Sequence, residues 1–217
     1  GFSFVEGPDA EGFYRLHKTM RRVLAERVER GSDGKRWEAV HRWYTDYWAT
    51  REVASLSWFH RWTLQAEESL RDWIEQHKAA LKSLNTARAR QLLTWWSDTD
   101  LDETERRRHG DQLWAWAHRA IGCASAQTPT AWRRDVLLTA IAYCETALII
   151  YTEADFPDDW AETQNILGNV YFDLPTGDRN ENLRRAIDCH QAALRVRTEA
   201  GCSSEWGMTQ NNLGNVY

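Results

Sequence analysis

The chain has 217 residues, 42% of them hydrophobic and 27% charged, and its 27 basic and 32 acidic residues leave a net charge of −5. That balance excludes a disordered tail, a collagen-like repeat and a disulfide-stapled mini-protein, and no run approaches the roughly 18 uncharged apolar residues of a membrane span. Two counts stand out: four cysteines without CxxC spacing, which point to buried thiols in a reducing, cytoplasmic setting, and 13 tryptophans.

The sequence opens on Gly1-Phe2-Ser3-Phe4-Val5 without an initiator Met and closes at Tyr217 inside a helical pattern, so it reads as a piece of a longer polypeptide. Phe2–Val5 and Phe13–Leu16 flank a turn rich in Gly, Pro and Asp, which predicts a β-hairpin. A helix is expected from about His17 to Arg30, with Met20, Val23, Leu24 and Val28 on one stripe and Gly31-Ser32-Asp33-Gly34 after it.

The string from Tyr14 through His17 to Leu24 resembles the winged-helix segment of STAND NTPases, the NB-ARC or NLR-like signalling ATPases, whose motif is Met-His-Asp followed by a helix. Leu16 stands at the Met and Lys18 at the Asp. The resemblance implies that His17 acts as the family's sensor of the ADP β-phosphate, a role suited to an imidazole that titrates near neutrality. ADP or ATP would then belong to the parent protein. No GxxxxGK[ST] phosphate loop is present, because Gly31-Ser32-Asp33-Gly34-Lys35 has the wrong spacing, and no cofactor is expected in the chain itself. The basic residues from Arg15 to Arg36 read as a solvated helix face or an interface with an acidic domain.

Between Lys35 and Leu101 the sequence is helical and free of proline. Trp37, Val40, Trp43 or Tyr44, and Tyr47 or Trp48 recur at three- and four-residue steps. Leu70, Trp73, Ile74, His77, Leu81 and Leu84 do the same, followed by Leu92, Leu93, Trp95 and Trp96. This spacing assigns the tryptophans to helix packing. Stacking on nucleic-acid bases needs a positive field beside the rings, and from Arg51 to Leu101 acids roughly match bases.

The C-terminal half contains a repeat. Ala140–Tyr171 aligns with Ala186–Tyr217 without a gap, 46 residues apart, with 16 identities in 32 positions. A further step back places Trp114 under Trp160, Ile121 under Leu167 and Gly122 under Gly168. Each unit predicts two helices, about Trp160–Phe172 and Asn182–Glu199. Leu167 and Tyr171 share one face, with Gly168 between them open to a close neighbour. On the second helix Ala186, His190, Ala193 and Leu194 are expected to be buried. Pro129, Pro157 and Pro175 fall between helices, where proline belongs.

The order Leu167-Gly168-x-x-Tyr171, then Ala186-x-x-x-His190-x-x-Ala193, resembles the tetratricopeptide repeat (TPR), whose typical unit is about 34 residues. The surplus falls between Tyr171 and Ala186 and between Ala147 and Leu167, as longer loops or extra helical turns. The resemblance implies an all-α TPR-like solenoid of helical hairpins, preceded by a winged-helix remnant with a short β-hairpin. It divides the chain into residues 1–34 (the end of the winged helix), 35–110 (a helical connector) and 111–217 (repeats). It also implies a groove, lined by the first helix of each unit, that binds a protein or peptide. The matching positions are Asn165 and Asn169, then Asn211 and Asn215, pairs at i, i+4 whose amides can bond a partner's backbone.

Cys189-His190 and His109 carry no nucleophile–base arrangement, since adjacent helical residues point about 100° apart, and no HExxH or zinc-ligand spacing occurs. The expectation is a non-catalytic sensor segment of a STAND-type NTPase, with prokaryotic antiviral defence as one setting. Its repeats would couple a trigger to nucleotide-dependent oligomerisation, with an NTPase domain upstream. A stand-alone TPR scaffold, or the regulatory array of a CHAT-type caspase-like protease, is the alternative.

Overall fold

The computed structural model describes residues 5–6, 15–16, 34–49, 58, 61–97, 101, 103–129, 133–201 and 203–217. His17 and the helix expected from His17 to Arg30 lie outside them. The described residues are helical apart from one hairpin, in which β1 (Val5–Glu6) pairs antiparallel with β2 (Arg15–Leu16), Val5 opposite Leu16. Contacts divide the chain into two units, Gly1–Ser69 and Leu70–Tyr217.

The first unit holds the hairpin and α1 (Gly34–Ala49). In α1 one residue of the expected aromatic stripe faces outward. His41 is buried, while Trp43 is 57% exposed and meets Tyr44 edge-on at 4.9 Å. Trp58 and Trp62 are buried and stacked, and Trp58 Nε1 donates to the Ser69 carbonyl.

Helix α2 (Ala66–Lys82) begins with Glu67 and Glu68 and ends on Lys82, charges that suit the helix dipole. Leu70, Trp73 and His77 are buried as expected, and Leu84 is not: it is 85% exposed. The reason is local. Asn85 N–H bonds to Ala80 C=O and Leu84 N–H to Leu81 C=O, which closes the helix with Leu84 at φ 56°. The stripe ends where the chain must turn. Asn85 then caps α3 (Thr86–Ser97) by accepting from Arg88 N–H, and Leu92, Trp95 and Trp96 are buried.

After α4 (Glu103–His109) come α5 (Asp111–Gln127) and α6 (Arg133–Ala147), α7 (Pro157–Asp173) and α8 (Arg179–Val196), then α9 (Ser203–Val216). α5 packs on α6 and α7 on α8, while α5 also touches α7 and α7 touches α9. This is a stack of helical hairpins in which successive first helices lie side by side. Helices α7 and α8 have 17 and 18 residues, 35 in all, already more than a whole unit of about 34. The surplus of the 46-residue period therefore lengthens the helices. The connection from α7 to α8 stays short, at residues 174–178, while the one from α6 to α7 is longer, at residues 148–156.

Local sequence explains the breaks. Pro157, expected between helices, instead occupies the first turn of α7, where its missing N–H costs nothing. Asp178 caps α8, its carboxylate accepting from the N–H groups of Asn180 and Glu181. Gly177 takes φ 86°, and Asn182 ties the turn down by donating to the Thr176 carbonyl.

The core repeats with the sequence. Leu137, Ala140, Cys144, Leu167, Val170, Tyr171 and Ala186 form one buried cluster, and Trp114, Ala115, Ala147 and Tyr151 form another. A Cβ on Gly168 would lie 2.5 Å from the His190 ring, and one on Gly122 would lie 2.6 Å from Cys144 Sγ. Both pairs are 22 residues apart at the same place in successive units. A glycine in the first helix makes the notch that a side chain of the second fills.

Candidate functional site

The hairpin stack leaves one face of each first helix outside the core. On α7 this face carries Glu162, Asn165, Asn169 and Asp173, spaced three and four residues apart, with Ile166 at its edge buried in the core. Moving by the 46-residue period gives Trp116, Arg119, Ala120, Cys123 and Gln127 on α5, and Met208, Asn211, Asn212 and Asn215 on α9. Asn169, Asn211 and Asn215 are exposed, and Asn165 is half-buried.

Asn165 has a second task. Its Oδ1 accepts from Asn212 Nδ2 at 3.1 Å, which joins α7 to α9. One period earlier Arg119 does the same work, with Nη1 at 2.8 Å from both Asp159 and Glu162, joining α5 to α7. Position 119/165 is thus a strut between neighbouring first helices. The amides of Asn169, Asn211 and Asn215 are the ones that face outward on this surface.

At one end of the face α2, α5 and α7 line a cavity of about 430 Å³. Arg71, Lys78, Arg119, Glu75 and Glu162 line it, together with Trp73, Ile74, Trp116 and Cys123. The guanidinium of Arg71 lies 4.9 Å from the Trp116 ring centroid. Sequence reasoning named the Asn pairs and missed this cavity. The signal was available, because Trp116, Arg119 and Cys123 are the period-equivalents of Glu162, Asn165 and Asn169.

The titratable groups are set by burial. The Cys123 and Cys189 thiols are pushed up to about 11 and the Cys144 thiol to about 12, chiefly by desolvation, so all three stay protonated at neutral pH. His190 is fully buried, neither ring nitrogen has a hydrogen-bond partner among the described residues, and burial pulls its pKa down to about 4. Cys189 and His190 are therefore a thiol and a neutral imidazole. His77 and His118 are also lowered by burial. His77 Nε2 meets Thr128 Oγ1 at 2.9 Å, and since that hydroxyl donates to the Ala124 carbonyl, the imidazole is the donor. His118 Nδ1 donates to the Trp114 carbonyl.

Arg106, Arg107 and Arg108 lie on α4, where they pair with Glu103, Asp111 and Glu105, and His109 Nε2 sits 3.1 Å from Glu105. Trp160 is half-buried under Arg195, whose guanidinium is 5.2 Å from its ring and is held by Glu153. Among the described residues no three His, Cys, Asp or Glu side chains gather as a metal site, and no helix is long and apolar enough to cross a membrane. Compared with family models, curated proteins and solved structures, the chain matches none.

Proposed function

We propose that the repeats of this chain form a TPR-like module that captures an extended protein segment along the face of α5, α7 and α9. One observation carries this reading. Several residues that recur identically from unit to unit, such as Ala140 and Ala186 or Val170 and Val216, lie in the buried core. Asn169 and Asn215 recur identically yet are exposed, so packing does not account for them. An outward amide supplies a donor and an acceptor together, which matches a peptide backbone whatever its sequence.

The resemblance of Tyr14–Leu24 to a STAND winged helix gives the module its setting. In that reading the chain is the sensor segment of a signalling NTPase, His17 contacts ADP held by an upstream domain, and ligand capture releases the resting state towards oligomerisation.

The test is selection of peptides from a random library on the immobilised wild-type chain, followed by titration against Asn169→Ala with Asn215→Ala. Losing two backbone hydrogen bonds weakens binding about tenfold, with an unchanged urea midpoint. Equal binding by the double variant removes the amides from the site, and weaker binding together with a lowered midpoint makes them structural.

A further inference from the structure

Two small residues of α5, Ala120 and Ala124, line the cavity between α2, α5 and α7. At period-equivalent positions α7 carries Ile166 and Val170 where α5 carries Ala120 and Ala124, so α5 lacks the bulk that fills the stack one unit later. The buried polar groups of the lining are already satisfied: Trp73 Nε1 donates to the Leu92 carbonyl at 2.9 Å, and His77 to Thr128. Two of the three cations are paired with carboxylates: Arg119 with Asp159 and Glu162, and Lys78 at 3.7 Å from Glu75, while Arg71 sits over Trp116. A charged group entering here would compete with these contacts and would lose its hydration. An apolar one gains burial against Ile74, Ala120, Ala124 and Ile166.

We propose that this cavity is the anchor subsite of the groove and takes one bulky apolar side chain, of leucine or phenylalanine size, from the bound segment. The inference rests on the reading of the first-helix face as a ligand groove. At about 430 Å³ the cavity lies toward the small end of ligand pockets, room for one large side chain with its own backbone.

Cys123 is the reporter, because its thiol lines the cavity. The probes are N-acetyl-phenylalaninamide, N-acetyl-leucinamide, N-acetyl-lysinamide and N-acetyl-glutamic acid amide, each at 10 mM (roughly ten times the ~1 mM dissociation constant of a ligand this small). Alkylation by iodoacetamide at alkaline pH is followed by peptide mass at each cysteine. The two apolar probes slow modification of Cys123 about tenfold and leave Cys189 unchanged, while the two charged probes protect neither. Ala120→Phe, which fills the space, and Trp116→Ala, which removes a half-buried indole, each abolish protection. Equal protection by the charged probes, equal slowing at Cys189, or full protection in both variants overturns the proposal. Ile149→Ala, at an exposed position outside the cavity lining, leaves probe protection intact; peptide capture by Asn169→Ala with Asn215→Ala is titrated separately, so failure of the anchor and failure of the backbone groove are read apart.

Discussion

At the scale of single residues, one glycine makes the notch of its hairpin. Gly168 faces the His190 ring closely enough that an added Cβ must displace it. Gly168→Ala therefore destabilises by about 1–3 kcal/mol through overpacking. Urea unfolding of this variant checks it, and an unchanged midpoint would refute the notch. His190 itself sets a pH dependence. Its folded pKa of about 4 lies below the unfolded 6.5, so the unfolded chain binds more protons between those values. The stability it contributes is full above pH 6.5 and is lost as pH falls toward 4, by about 3 kcal/mol. His77 and His118, also lowered, add in the same direction. Urea midpoints from pH 7 to 4 that fall as steeply in His190→Ala as in the wild type would show that another group is responsible.

At the scale of elements, the helices are set by local signals and joined by specific cross-links. Pro157 and Asp178 mark the starts of α7 and α8, and both are legible in the sequence as a proline and a capping carboxylate. The link between α7 and α9 is not, because it needs Asn165 and Asn212 to meet across the stack. Asn165→Ala leaves the Asn212 amide without that acceptor and lowers stability by about 0.5–1.5 kcal/mol. Asn169→Ala, at an exposed position, stays within about 0.5 kcal/mol of wild type. Chemical denaturation separates the two. Identical stabilities would mean that the Asn165–Asn212 bond contributes nothing net. The four asparagines named together from the sequence thus divide into a strut and three outward amides.

At the scale of the whole molecule, the second unit is a stack in which each hairpin contacts chiefly its neighbours, so its stability is close to a sum of unit and interface terms. Its outward face and the cavity at one end of that face are products of the stacking. The proposed signalling role rests on the resemblance around His17. In the full-length polypeptide that this resemblance implies, His17→Ala retains less ADP after purification or signals without a trigger. Unchanged nucleotide content and activity remove His17 from the mechanism.

The sequence by itself determined the helical class, the 46-residue period, the proline breaks and the burial of Ala186, His190 and Ala193, because periodicity and small residues encode which side of a helix can approach another. It also placed most of the described tryptophans in the core. It misassigned Trp43 and Leu84, since spacing alone does not say which stripe faces inward or where a helix closes on a residue with positive φ. Only the tertiary structure decided that the long period lengthens the helices, that Asn165 bonds the next unit, and that Ala120 and Ala124 line a cavity against α2. Each of these depends on groups distant in sequence being held within van der Waals or hydrogen-bond distance, and a single chain read in order does not contain those distances.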